Sequence, residues 1–264
     1  MSIRVAAVQA STPTGRDDAR ALAEVIGGAV VAGAELIALA LRPPPRPPAA
    51  PDPTPRALRG LAAGHNVCLV AGPYVERDAD GRAYLAAGLW DPAGTLIGSA
   101  RQTHQPPGSG WAAADTLAPL PLTSRDGARR LLGLILGEDI RYPEVGRILA
   151  LQGATVLIHL GVMPAPYNPW EQERRLWREV QANQTFGLES YPLVPGGGGY
   201  ARVLAPCEMT PGGSGILAAT HSLRDPAAAI ADLDAEAREA VIAAYPIAHQ
   251  FNRDMYHKLP GAYD

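Results

Sequence analysis

The sequence predicts an α/β fold of two sheets, each covered on one side by helices. Two observations predict it. Short apolar runs of strand length alternate along the chain with segments whose apolar residues recur at helical spacing. A strand–turn–strand signal, Tyr84 to Trp90, Asp91-Pro92-Ala93-Gly94 and Thr95 to Arg101, adds a hairpin to that alternation. With 264 residues and 47% hydrophobic content the chain can bury a large core, and a single domain over residues 1–264 is expected.

The elements follow in order. Ile3 to Val8 reads as a strand ended by Gln9. Asp17 to Ala32 reads as a helix, with Ala21, Leu22, Val25, Ile26, Ala29 and Val30 on one face and Thr14 to Asp18 capping its start. Gly33 stops it, and Leu36 to Leu41 is a second buried strand. The run from Pro43 to Pro55 is too proline-rich for helix or central strand. It reads as a stiff extended surface loop, with a docking strip for a partner as the sharper alternative. Arg56 to Gly64 is a short helix and Asn66 to Gly72 a strand. After the hairpin, Gly108 to Ala118 is a loop. Leu131 to Leu136 is a buried strand, Val145 to Gln152 a helix and Ala154 to Leu160 a strand. Pro169 to Gln184 is an amphipathic helix carrying Trp170, Leu176, Trp177 and Val180. Phe186 to Leu193 is strand-like, Gly196 to Gly199 a flexible turn, and Ile216 to Thr220 and Ala228 to Leu233 are the last strands. Asp234 to Ala244 is a helix and Tyr245 to Asp264 a tail.

Composition excludes several function classes. A net charge of −3 gives no electrostatic reason to expect nucleic acid or an anionic membrane, and the arginines at 125, 129 and 130 read as a solvated face. Two cysteines, Cys68 and Cys207, do not make a disulfide framework. Together with an N-terminus that leads straight into a strand and the absence of a ~20-residue apolar run, they predict a cytoplasmic protein. The histidines at 65, 104, 159, 221, 249 and 257 show no metal spacing, so no metal and no cofactor is expected. The only lysine is Lys258, which leaves a lysine-dependent mechanism without its residue in the body of the fold.

The most informative stretch is Leu131 to Glu144. An apolar strand stops at Gly137 and opens into Glu138-Asp139-Ile140-Arg141-Tyr142-Pro143-Glu144. A strand that turns sharply into a helix lifts one side chain above the sheet edge, where α/β enzymes mount a nucleophile. This stretch resembles the signature of the nitrilase (carbon–nitrogen hydrolase) superfamily, with glycine in place of the cysteine. The resemblance extends over most of the chain: Arg4 to Gln9, Gly33-Ala34-Glu35-Leu36-Ile37, Trp90 to Gly94, Gly153-Ala154, Arg178 to Gln184, Ala231 to Asp234 and Arg253 to Tyr256. It implies a four-layer α-β-β-α sandwich of the nitrilase type.

In that superfamily a glutamate removes the proton of a cysteine thiol, the thiolate attacks an amide or nitrile carbon, and a lysine with a backbone N–H steadies the oxyanion. The resemblance places Leu41 at the glutamate, Gln102 at the lysine, Gly137 at the cysteine, and Ala182 at a further glutamate. Leu41 accepts no proton, Gln102 carries no charge and Gly137 offers no atom for a covalent intermediate. The resemblance therefore implies a pseudoenzyme without amidase or nitrilase hydrolysis, serving as a binding, regulatory or scaffold homodimer. Two alternatives stand beside it: a rebuilt pocket acting on a small amide, nitrile or related substrate through Glu138, His104 or His159, and an inactive subunit paired with an active homologue.

The pocket candidates are Glu138, His104, His159, Arg141 and Tyr142, and a structural ion-pair role in the turn is expected of Asp139, Arg141 and Glu144. For His104 and His159 the plain expectation is a satisfied structural histidine. Cys68 is expected to be an inert core thiol, and Cys207 a loop cysteine without a role.

Overall fold

Alternation of side chains along the strands builds the whole architecture. In β1 (Ser2–Gln9), Ile3, Val5 and Ala7 enter one apolar cluster, while Ala6 and Val8 enter another. The first cluster is the interior between two sheets. It joins those residues to Leu132, Leu134 and Leu136 of β7 (Arg129–Leu136) and to Val156, Ile158 and Leu160 of β8 (Val156–Leu160). The second packs one sheet against α1 (Arg16–Val31) and α2 (Thr54–His65). A third packs the other sheet against α3 (Pro143–Leu151) and the helical stretch from α4 (Pro169–Gln172) to α5 (Arg178–Asn183). Four layers, α-β-β-α, result. The computed structural model describes residues 2–195 and 198–250, with 252 and 254. Gly196 and Gly197 of the glycine turn, Arg253, Met255 and Tyr256 of the last matching motif, and His257 and Lys258 lie outside the described residues.

The first sheet runs β12-β1-β2-β3-β4-β5 and the second β11-β10-β9-β8-β7-β6, where β11 is Ile216–Ala219. In each, three central strands are parallel: β1, β2 (Leu36–Ala40) and β3 (Cys68–Arg77), and β7, β8 and β9 (Phe186–Ser190). The expected hairpin is β4 (Ala83–Trp90) with β5 (Leu96–Arg101). Its turn is held by the Asp91 carboxylate, which accepts from the N–H groups of Ala93 and Thr95. β12 (Ala227–Asp234) closes the first sheet on β1, where Arg4 pairs with Asp232 at 2.6 Å. Asp234 accepts from the N–H groups of Glu236 and Ala237 to cap α6 (Ala235–Ala244).

The structure differs from the expectation in four places. β6 (Leu120–Thr123) forms where no strand was expected; it is a four-residue edge strand that carries Pro121, a position where a missing N–H costs nothing. β10 (Arg202–Leu204), three residues long, carries too little periodicity to be read. The helix expected over Pro169 to Gln184 is interrupted by a π-helical turn, Glu173–Trp177, with Arg175 off helical geometry. Trp170, expected on the buried face, is 79% exposed, whereas Leu176 and Val180 are buried. Finally, the proline run is folded onto the sheet edge rather than standing free: Asp52 accepts from Val75 N–H at 2.7 Å, and Pro43 and Pro44 are half-buried.

A cleft at the carboxyl edge of the strands

The parallel strands β2, β7 and β8 release their chain at one edge, the usual place for a site in an α/β sheet. There Gln102, Gly137 and Glu138 face a cleft of about 240 Å³. Its apolar wall comes from Pro43, Pro44 and Pro45 of the proline run, Trp111 of the loop after β5, Leu160 at the end of β8 and Val162 just after it. The proline run thus builds one side of the cleft.

Gly137 opens a short 3₁₀ turn, Gly137–Arg141, and has φ +50°, a left-handed conformation that penalises any residue with a Cβ. A Cβ built there would lie 3.2 Å from Oε1 of Gln102. Gln102 is itself buried, 3% exposed, and its Nε2 donates to the carbonyl of His104 at 2.7 Å. The carboxamide therefore stands against the position a side chain at 137 would need.

Asp139 holds the two segments together. Its carboxylate, 1% exposed, accepts from the N–H groups of Thr103 and His104, from the Thr103 hydroxyl and, at 3.2 Å, from Nδ1 of His104. Burial pushes its pKa above the ordinary carboxylate value, and the hydrogen bonds of Thr103 and His104 offset part of that push. One buried acid thus ties the chain after β5 to the turn after β7, and in doing so sets Gln102 beside Gly137.

The other candidates are placed around this pin rather than in the cleft wall. His104 stacks on Tyr142 with ring centroids 3.6 Å apart, and its Nε2 lies 3.8 Å from Glu144. Arg141 is half-exposed and pairs with Glu138, with a second contact to Glu171 at 3.7 Å. Four of the five pocket candidates, His104, His159, Arg141 and Tyr142, therefore lie outside the lining: the 3₁₀ turn carries Arg141 and Tyr142 out to the surface beside α3, His104 stacks on Tyr142, and His159 is buried. Glu138 lines the cleft with its carboxylate ion-paired to Arg141. Leu41 also departs from expectation. Strand alternation puts it on the same side as Ile37 and Leu39, in the cluster under α1 and α2, and it lines a neighbouring cavity that shares Pro44 and Pro73 with the cleft.

His159 stands behind the cleft and is fully buried. Its Nε2 lies 3.3 Å from the carbonyl of Gly137; a carbonyl only accepts, so this nitrogen carries the proton. Burial, helped by Arg175, holds the imidazole pKa down to about 4, so the ring is neutral near pH 7. A Cβ at Gly161 would meet that Nε2 at 2.5 Å, so Gly161 leaves room for the ring. Behind it runs a buried polar chain that sequence reasoning missed. Tyr191 packs edge-on to His159 and donates to Glu189, which also accepts from Nε of Arg202 at 2.6 Å and Nε2 of Gln172 at 2.9 Å. Arg202 reaches Glu173 in turn. The signal was present: Glu189 interrupts an apolar strand and is registered opposite His159.

Neither cysteine is near the cleft wall. Burial, with Asp91 and Glu35 nearby, pushes the Cys68 thiol up to about 11, and burial raises Cys207 as well, so both are poor thiolates.

A family model described as carbon-nitrogen hydrolase matches residues 4–186, well over half of the chain. The chain belongs to the carbon–nitrogen hydrolase family. This carbon–nitrogen hydrolase family member is 33% identical over 128 residues to a hydrolase of Schizosaccharomyces pombe, an alignment covering 46% of this chain and 39% of the relative. The chain thus spans about two-fifths of that curated relative. Among solved structures, the fold matches a carbon-nitrogen hydrolase from Helicobacter pylori with a TM-score of 0.73 and 20% identity, covering 100% of both chains. It also matches the amidase from Nesterenkonia sp. AN1, in a double mutant with glutamate changed to glutamine and cysteine to alanine, in complex with acrylamide. That match has a TM-score of 0.74 and 18% identity over 97% of this chain and 96% of the other. At these identities the likeness shows the nitrilase fold, a sandwich of two mixed sheets flanked by helices.

Proposed function

We propose that this carbon–nitrogen hydrolase family member is a pseudoenzyme: a homodimer that binds a small neutral molecule in the cleft and does not cleave carbon–nitrogen bonds. One observation carries the reading. The cleft presents Gly137 in a left-handed conformation with the Gln102 carboxamide 3.2 Å from where its Cβ would stand, so position 137 supplies no nucleophile, and a side chain there would strain the backbone and have to displace Gln102. Leu41 packs under α1 and α2 and offers no base. The amidase double mutant lends support by analogy: an amidase of the same fold, with a cysteine changed to alanine, is found in complex with acrylamide. Ile148 and Leu151 on α3, with Trp170 on α4, leave large apolar side chains exposed on the outer helical side, which supports self-association there.

The test is calorimetric titration with acrylamide, with ammonia release followed in parallel and native mass spectrometry of the same sample. The reading expects binding without turnover, binding lost in Ser109→Trp, which fills the cleft, and a mass of two chains. A second polypeptide in the complex favours the inactive-subunit reading instead.

A rebuilt active site is the second reading, and one observation favours it: Glu138 is a carboxylate in the cleft lining. Held by Arg141, it is the group in the lining placed to act on a water in the cleft. Turnover that Glu138→Gln abolishes would establish it.

A further inference from the structure

The opposite edge of the sandwich, where β1, β7, β8 and β9 begin, carries a second cavity of about 220 Å³. Its floor is apolar: Ile3, Val156, Phe186 and Leu233 are each at most 3% exposed. Its rim is basic, with Arg129, Arg130 and Arg238 against a single acid, Glu239. The three guanidinium groups differ in what they already have. Arg130 is satisfied, hydrogen-bonded to Ser124 and 3.6 Å from Asp126. Arg129, at the first position of β7, is exposed and makes no side-chain hydrogen bond or ion pair among the described residues. Arg238 donates through Nε to the Gln184 carbonyl at 2.6 Å, and its ionic partner among the described residues, Glu239 at 3.0 Å, is itself 67% exposed. Burial lowers the Arg238 pKa against the pull of Glu239, so its charge is incompletely compensated. An apolar pocket with one free and one under-compensated guanidinium at its rim has a defined chemical complement.

We propose that this cavity is a binding site for a small organic carboxylate, its aliphatic or monocyclic body on the Ile3–Phe186 floor and its head between Arg129 and Arg238. Arginine is suited to this role because its fork of N–H donors matches both carboxylate oxygens. The apolar floor separates such a ligand from inorganic anions, and the arginines separate it from neutral molecules of the same shape. The site is independent of the cleft: it lies at the other end of β7 and β8, and its occupancy does not depend on whether the cleft is catalytic.

Hexanoate is the probe, with hexan-1-ol as its neutral counterpart and inorganic phosphate as the charge without the body. Titration calorimetry gives the affinities, and amide chemical shifts of Thr155 and Ala235 report the location. Hexanoate is expected to bind at least about ten-fold more tightly than either control, because a hydrogen-bonded charge pair is worth that much or more. Arg129→Gln should weaken hexanoate about ten-fold and leave hexan-1-ol unchanged; the side chain is exposed, so the fold is not at risk. Ala235→Trp should remove hexanoate binding by filling the cavity. Equal binding of hexanoate and hexan-1-ol, equal binding of phosphate, or an affinity untouched by Arg129→Gln would each overturn the assignment.

Discussion

The two turns that leave the parallel strands β2 and β7 had the same expected task, each delivering one chemical group to a common cleft. They have ended differently. The turn after β7 keeps a dense set of contacts: Asp139 accepts four hydrogen bonds from Thr103 and His104, and Arg178 reaches the Ile140 carbonyl. The turn after β2 has given its side chain to the core, with Leu41 5% exposed in the cluster under α1 and α2. The difference separates two requirements that catalysis normally joins. Holding the chain in place depends on Asp139 and its partners, which are present. In the proposed reading, chemistry depends on what stands at 41, 102 and 137, where leucine, glutamine and glycine are found.

The comparison breaks most easily at its two buried ends. Leu41→Glu places a carboxylate in an apolar cluster, and a loss of several kcal/mol is expected by urea unfolding, whereas Leu41→Met should cost less than about 1.5 kcal/mol. Restoring a glutamate there would therefore unsettle the helix side of the first sheet before it served the cleft. Asp139→Ala leaves the N–H groups of Thr103 and His104 without their acceptor, and a loss of roughly 3 kcal/mol is expected in the same measurement.

A pH series sharpens the account of what lies behind the cleft. The His159 pKa is held down to about 4 in the folded protein, below its ordinary value near 6.5. Between those values the unfolded chain binds the extra proton and the folded chain does not. Stability from this group is thus complete above about pH 6.5 and is lost as pH falls toward 4, by a few kcal/mol at most. Asp139, raised by burial, works in the opposite direction, so the comparison must be between the protein and His159→Gln. Unfolding followed from pH 7 to pH 4 should show a shallower loss in the variant; parallel curves would place the proton elsewhere.

The smallest expected effect concerns the packing of Gln102 against Gly137. Gly137→Cys should destabilise by about 1–3 kcal/mol through its left-handed backbone and the approach of Gln102. Adding Gln102→Ala should recover the steric share and leave the backbone share, a non-additive cycle measurable by thermal unfolding.

The layers were legible because the central strands are short, nearly unbroken apolar runs and α1, α2 and α3 each carry one apolar face, and the turn after β7 was legible because Glu138 to Glu144 holds its residue types at fixed spacing. What was not legible depended on long-range placement. Tyr142 and Arg141 follow the cleft residues directly in sequence, but a 3₁₀ turn swings them outward. The resemblance assigns Leu41 to the site, whereas strand parity assigns it to the core. The chain Gly137–His159–Tyr191–Glu189–Arg202 joins residues from four separate segments, and only the charged Glu189 within an apolar strand betrayed it. The opposite-edge cavity draws on five segments, and its arginines read in sequence as an ordinary solvated face.

The most direct test of the central claim is ammonia release from a panel of small primary amides and nitriles, followed alongside intact protein mass. The account predicts no release above buffer and no covalent increment on the chain. Sustained release with a single acyl increment, or release that disappears in Glu138→Gln, would contradict it and make this cleft an active hydrolase site.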